Sequence, residues 1–122
     1  SRQSVEQQLQ SGSDVILEID WQGARLVREQ MTDIIGIFIL PPSLSALRER
    51  LQGRGQDDDS IIERRMRDAR NEASHYDEYD FLVINDQFDQ ALDELRAVFL
   101  GQRQRLKPQQ QRYQALLREL LA

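Results

Sequence analysis

The sequence predicts an α/β fold built around a parallel sheet. Three short apolar runs, at residues 14–20, 34–40 and 81–86, are continuous enough to be strands buried on both faces. The stretches that follow them carry apolar residues at helical spacing. Strands that alternate with helices in this way favour a parallel sheet with right-handed crossovers. The length of 122 residues suits one domain.

Two predicted helices flank the first apolar run. Val5 and Leu9 share one helical face, and Gly12 is placed to end that helix. Asp20 follows the run and can cap the next helix, because its carboxylate can accept hydrogen bonds from the amides of a first turn. The apolar stripe of this second helix consists of Ala24, Val27 and Met31.

Two further helices follow the second apolar run. Pro41 and Pro42 stop the strand, since proline cannot donate a hydrogen bond within a sheet. Glycines then separate the third helix from the fourth. Ser60 and Glu63 have the spacing of a capping box and predict where the fourth helix begins. The third helix carries Leu44, Leu47 and Leu51 on one face, and the fourth carries Ile62, Met66, Ala69 and Ala73.

The last apolar run, FLVIND, leads into a long helix that extends toward Leu106. Pro108 is predicted to break the chain after it. A short leucine-rich helix ends the sequence, and we expect it to pack on the sheet or on another subunit. The long helix carries Phe88, Leu92, Leu95 and Phe99 on one face, and the short helix carries Leu116, Leu117, Leu120 and Leu121.

Polar residues follow two of the three predicted strands. Glu18 and Asp20 close the first run, and Asn85 and Asp86 close the last. In parallel sheets, ligands bind at the carboxyl ends of the strands. The sequence therefore predicts a site at this edge, where acidic groups can organise a metal ion, its waters or a cationic side chain.

Composition excludes some classes of partner. The formal net charge of -5 argues against a nucleic-acid polymer, because phosphate backbones are bound by basic surfaces. No apolar run approaches the roughly 20 residues that span a bilayer, so we expect no membrane partner. Cysteine is absent, which fits a reducing cytoplasm. Ser1 is not methionine and a helical pattern begins at once, so we expect a piece of a longer polypeptide.

Six segments together resemble the C-terminal part of a bacterial guanylate kinase. The segments are VILEIDWQGA, IFILPPS, LRERLQGRGQD, IIERRM, SHYDEYDFLVIND and FDQALDEL. The resemblance runs from Ser1 to about Leu106 without an obvious gap. Each segment alone is a weak signal, but their order and completeness make the set specific.

The resemblance implies a P-loop nucleoside monophosphate kinase fold. Such a kinase transfers the terminal phosphoryl group of ATP to GMP, with Mg²⁺ as the cofactor of ATP. Residues 1–106 would be the C-terminal part of the kinase domain, with a lid at about residues 50–66. Residues 107–122 would form a helical tail.

The resemblance also assigns roles to individual residues. Arg50 matches an arginine that lies against the donor adenine, and Asn85 matches a residue near that base. Arg54 and Arg65 match arginines that contact the phosphates, and both are candidate catalytic residues. The acids beside the GMP site correspond to Glu18 and Asp20. No direct metal ligand is expected, although Asp20 matches an acid near the water molecules of the magnesium ion.

The chemistry of phosphoryl transfer agrees with these assignments. The reaction needs positive charge against the equatorial oxygens and alignment of donor with acceptor. Guanidinium is permanently charged and binds phosphate through two parallel donors. An arginine-rich stretch between two helices is therefore a reasonable place to bind phosphates.

The sequence departs from the family at its N-terminal side. It contains no G-x-x-x-x-G-K-[ST], the phosphate-binding loop, and it lacks the arm that reads guanine. The missing half of the domain would also supply the strand between the first two predicted strands. We therefore expect little activity from the isolated chain. Unpaired strand edges, or the last helix, would favour a homo-oligomer or strand exchange.

Simpler interpretations exist for the same residues. Arg50 can pair with Glu49 or Asp57 on the surface. Asp20 can be only a helix cap, and Glu18 can be a solvated strand end. His75 is the single histidine and is expected to pack beside its neighbouring tyrosines, since this reaction needs no histidine base. A guanylate-kinase-like module that binds proteins without catalysis is the alternative function.

Overall fold

The computed structural model describes residues 2–12, 14–53 and 58–122, which form two compact units divided between Ile34 and Ile35. The first unit contains α1 (Arg2–Gln10) and α2 (Trp21–Gln30). The second unit contains, in chain order, β1 (Ile37–Leu40), α3 (Leu44–Gly53), α4 (Asp59–Ala73), a 3-10 helix (Tyr76–Glu78), β2 (Phe81–Ile84), α5 (Phe88–Arg103), α6 (Leu106–Arg112) and α7 (Gln114–Leu121). The predicted mixture of helices and a parallel sheet is confirmed.

Gly12 ends α1 as predicted. Its φ angle is 89°, a left-handed conformation that glycine adopts without the steric cost of a Cβ atom. The Gly12 amide donates to the carbonyl of Leu9 at 3.1 Å, which satisfies one of the carbonyls left over at the end of the helix.

The predicted strand at residues 14–20 is wrong. In the described part of the chain, this segment belongs to neither a helix nor a strand. Its residues Ile16, Leu17 and Ile19 are exposed, and Ile16 retains 69% of its accessible surface. A strand exists only when a neighbour accepts and donates its backbone hydrogen bonds. Among the described residues, only β1 and β2 pair in this way, so the segment at 14–20 forms no strand.

The sheet pairs β1 and β2 in parallel. The register runs from Ile37 opposite Phe81 to Leu40 opposite Ile84. Val83 retains only 2% of its accessible surface. Phe38 packs edge-on against Tyr79 with ring centroids 4.7 Å apart. The prediction that both strands are buried on both faces is only half correct. Paired strands cover each other's edges, and their faces are buried only where other elements pack against them. Ile39, Leu82 and Ile84 remain exposed.

The fourth helix begins two residues earlier than the capping-box pattern predicts. Asp58 is the N-cap, and its Oδ1 accepts from the Ile61 amide at 3.0 Å. The Ser60 hydroxyl donates to the same carboxylate, and these two hydrogen bonds hold the pKa of Asp58 below its usual value. An ionised cap at the positive end of a helix is stabilising. Glu63 has no capping role and pairs with Arg48 of α3.

The C-terminal helices follow α5 after a short break. The break lies at Gln104 and Arg105, and Pro108 sits in the first turn of α6. Proline is tolerated there because first-turn amides have no partner within the helix. The prediction of a break at Pro108 is therefore displaced by a few residues. The leucines of α7 are exposed on this chain, with Leu121 retaining 83% of its accessible surface.

None of the helices that the structure describes is both long and apolar enough to cross a membrane.

Candidate functional site

The two strands end level with each other at the carboxyl edge of the sheet. Leu40 and Ile84 are register partners, and the Asn85 amide donates to the Leu40 carbonyl at 2.7 Å. This bond continues the parallel ladder by one residue beyond β2. It fixes the half-buried Asn85 at the edge where α/β sheets bind their ligands.

Arg50 reaches this edge from the last turn of α3. Its Nη2 donates to the main-chain carbonyl of Asp86 at 3.3 Å, across 36 residues of sequence. Asp86 directly follows Asn85, so the structure brings together the two residues predicted to bind the adenine side of ATP. Both Arg50 and Asp86 are exposed, which leaves their surface accessible to a ligand. A planar guanidinium held in this way can stack against a flat base.

Arg65 lies on α4, the helix that packs through Ile62 and Met66. Both apolar side chains are buried, whereas Arg65 is exposed and makes an interaction of its own. The helix therefore has a fixed inner face and presents Arg65 away from it. Arg54, the other predicted phosphate-binding arginine, lies outside the described residues.

α3 and α4 are joined by an ion pair that the sequence patterns do not predict. Arg48 Nη1 donates to Glu63 Oε1 at 2.5 Å. The hydrogen bond and the opposite charge of Arg48 lower the pKa of Glu63, and the same pair raises the pKa of Arg48. The capping-box spacing predicts a different role for Glu63. Opposite charges on two consecutive helices were the available signal.

The two predicted acids of the GMP side lie in the first compact unit. Asp20 is the N-cap of α2, as predicted, and its Oδ1 accepts from the Gly23 amide at 2.8 Å. A Cβ at Gly23 would lie 3.2 Å from Asp20 Oδ1 and from Ile19 Cβ, so a larger residue there would require these neighbours to shift by a few tenths of an ångström. Glu18 is exposed in the segment that forms no strand.

The described residues offer limited means to hold a metal ion. Residues 2–12, 14–53 and 58–122 contain no group of three or more His, Cys, Asp or Glu side chains placed for that purpose. Asp20 uses Oδ1 for the helix cap, and Oδ2 of the same carboxylate remains for another ligand. Mg²⁺ usually keeps several water molecules and takes only one or two protein carboxylates. Asp20 therefore fits a contact through a metal-bound water.

Comparison with known proteins gives a consistent result. The family model for guanylate kinase matches residues 1–102. A guanylate kinase from Hahella chejuensis is 57% identical over 118 residues, covering 97% of this chain and 57% of the relative. A guanylate kinase from Pseudomonas savastanoi is 54% identical over 122 residues, covering 100% of this chain and 57% of the relative. One from Xanthomonas axonopodis is 50% identical over 121 residues, covering 99% and 60%.

These matches cover nearly all of the chain but only part of each relative. The chain spans between 57% and 60% of the length of these three guanylate kinases. The family model covers both compact units through most of α5, including Glu18, Asp20, Arg50, Arg65 and Asn85. This chain belongs to the guanylate kinase family.

Proposed function

We propose that the whole protein is a guanylate kinase that transfers the terminal phosphoryl group of ATP to GMP. The observation that carries this proposal is the position of Arg50, hydrogen-bonded beside Asn85 at the carboxyl edge of the sheet. That edge is where this class of fold binds nucleotides. The names of the relatives support the same activity.

The predicted site residues divide between the adenine of ATP, the phosphates and the GMP side. Arg50 and Asn85 would bind the adenine side of ATP at the sheet edge. Arg65, together with Arg54, would place positive charge against the phosphate oxygens. Mg²⁺ would neutralise further phosphate charge when bound with ATP.

The acids of the first unit would act on the acceptor side. Glu18 and Asp20 would lie near GMP, and Asp20 would also orient water molecules around the metal ion. The cytoplasmic location expected from a cysteine-free sequence stays a prediction. The division into a kinase domain at 1–106 and a tail at 107–122 is likewise a proposal, as is a lid at about 50–66, which takes in the end of α3 and the first half of α4.

The activity is tested by measuring ATP consumption by the whole protein with GMP, and with AMP, CMP and UMP as controls. We expect turnover that depends on both GMP and Mg²⁺. A folded protein that consumes no ATP with any of these acceptors would contradict the proposal. It would instead favour a module that binds proteins without catalysis.

Two substitutions of Asp20 separate its cap from its proposed role near magnesium. Asp20→Ala removes the cap and is expected to cost about 1 kcal/mol of folding free energy. Asp20→Asn keeps the cap, because asparagine accepts the same hydrogen bond, but it removes the charge. We expect Asp20→Asn to unfold at nearly the original temperature yet to lose about 10- to 100-fold in activity.

Thermal unfolding and turnover at several Mg²⁺ concentrations would be measured on both Asp20 variants. A deficit in Asp20→Asn that shrinks as Mg²⁺ rises would support a contact through metal-bound water. Full activity of Asp20→Asn would show that Asp20 is a helix cap alone.

We also propose that the helical tail joins copies of the protein. Residues 107–122 contain three basic side chains and one acidic side chain, whereas residues 1–106 contain 13 basic and 20 acidic ones. Two basic tails repel each other, so the tail is better matched to the acidic part of a second copy. The tail also offers apolar surface for such an association, in a groove of 550 Å³ between α6 and α7. The groove is lined by Lys107, Gln110, Gln111, Gln114, Leu117, Arg118 and Leu121.

Light scattering of the whole protein tests this association. We expect a mass above that of a monomer, which falls when Leu120→Ser and Leu121→Ser are combined and also when salt is added. Leu26→Ser, on the exposed surface of α2, is the matched control and should leave the mass unchanged. A monomeric mass that does not depend on protein concentration would contradict the proposal.

A further inference from the structure

The side chains of α4 divide between a buried stripe and two flanks. Ile62 and Met66 form its buried stripe, at 4% and 6% of their accessible surface. Successive residues of an α-helix are rotated by about 100°. Glu63 therefore lies on one flank of the stripe and Arg65 on the opposite flank. A rotation of α4 about its axis that moves one of them inward moves the other outward.

The flank of Glu63 is charged and connected to α3. Arg48 binds Glu63 directly, and Asp59, one turn earlier on α4, adds to the negative charge that Arg48 meets. Arg67 and Arg70 continue the same flank and favour the ionised form of Glu63. The pKa of Glu63 is lowered and that of Arg48 is raised, so the pair stays fully charged at neutral pH.

We infer that Arg48 and Glu63 are positioning residues, whose ion pair sets the rotation of α4 and thereby the direction in which Arg65 presents its guanidinium to the transferring phosphoryl group. This inference rests on the proposed guanylate kinase activity. Neither residue needs to touch a nucleotide to act in this way.

The physical reason is the difference between apolar and ionic contacts. The stripe of α4 holds the helix against its neighbours, but hydrophobic contact is non-directional and tolerates small rotations. A hydrogen-bonded ion pair fixes the distance between two particular atoms, here on the flank of Glu63. A displacement of about 1 Å in a group that stabilises the transition state can cost up to roughly 100-fold in rate.

The expected effect is smaller than this limit. The side chains of Arg48 and Glu63 are 41% and 50% exposed, and exposed pairs contribute little free energy. Removing the pair would therefore shift part of the population of α4 away from the productive rotation. We expect Glu63→Gln to lower kcat by about two- to fivefold, with a smaller change in the KM for GMP.

The test measures single-turnover rates of the whole protein for Glu63→Gln in two backgrounds, the natural one and Arg65→Ala. If Glu63 acts through Arg65, its substitution lowers the rate in the natural background and has no further effect once Arg65 is gone. Arg48→Gln should lower the rate as much as Glu63→Gln does. Arg48→Gln combined with Glu63→Gln should be no slower than either single variant. Arg48→Lys should recover part of the rate that Arg48→Gln loses. Asp68→Asn removes another exposed carboxylate of α4 and is the matched control.

The outcomes separate this inference from the activity on which it rests. An equal loss in both backgrounds, with the unmodified protein active, would show that the ion pair is merely structural and would overturn the inference alone. A folded, unmodified protein without turnover would overturn the proposed function and the inference with it. If Glu63→Gln has no effect on the rate in the Arg65→Ala background, the result supports both the inference and the proposed function.

Discussion

Replacing Arg65 by alanine in the whole protein is expected to lower kcat by about a thousandfold or more. The affinity for GMP should change far less. Arg65 is exposed on α4, whose buried face fixes the helix, so its substitution removes a guanidinium without opening a cavity in the core.

The size of this effect follows from where the charge is needed. During transfer, negative charge spreads over the three equatorial oxygens of the phosphoryl group, and a positioned arginine stabilises that distribution more than it stabilises the bound substrates. An interaction made mainly in the transition state lowers kcat and kcat/KM together when it is removed. Arg65→Lys should recover only part of the rate, since an ammonium group cannot form two parallel hydrogen bonds to one phosphate.

Steady-state kinetics with GMP and ATP varied separately would measure the effect. Arg64→Ala is the matched control, because Arg64 is the adjacent arginine and is also exposed. It should retain nearly full activity. A loss in Arg65→Ala that appears only as a higher KM for GMP would contradict a role in the transition state.

The 122-residue chain by itself is expected to phosphorylate GMP at a rate more than about a thousandfold below that of the whole protein. Its sequence contains no G-x-x-x-x-G-K-[ST]. The amides and the lysine of such a loop cradle the phosphates of the donor. Without them, arginines at the sheet edge cannot align ATP with GMP.

Mixing provides the informative comparison. The chain would be assayed alone and after co-expression with the N-terminal half of a guanylate kinase relative, in preparations free of host kinase. Activity only in the mixture, abolished by Arg65→Ala, would show that the chain supplies a competent part of the site. Turnover by the purified chain alone would contradict the prediction.

Helices were the elements that the sequence predicted best. Helical periodicity, Asp20 before α2 and Gly12 after α1 are local signals, and each acts within a few residues of its position. The structure confirms α1, α2, α3, α4 and α5 and the buried stripe of α4. The N-cap of α4 is Asp58 and not Ser60. Both side chains can cap a helix, and only the folded backbone selects one of them.

Strand prediction failed at one of the three apolar runs. The apolar run at 14–20 has the composition of a buried strand, but a strand is defined by hydrogen bonds to another segment. That partner cannot be read from the run itself. β1 and β2 are more exposed than their sequences suggest, because the burial of a strand's faces depends on other elements that pack against the sheet.

The resemblance predicts the site residues one by one, without their contacts. Glu18 and Asp20 lie in one compact unit and Arg50, Arg65 and Asn85 in the other, and their functional roles remain predictions. The sequence did not predict that Arg50 would bind the carbonyl next to Asn85, or that Arg48 would bind Glu63.

The sequence by itself determined the family, the order of most elements and the residue types available for phosphate binding. Only the tertiary structure decided which apolar run became a strand and which charged side chains met. The physical reason is that helices and caps depend on neighbours a few residues away. Strand pairs, and contacts such as Arg50 with Asp86, depend on groups that are distant in the chain and meet only when it folds.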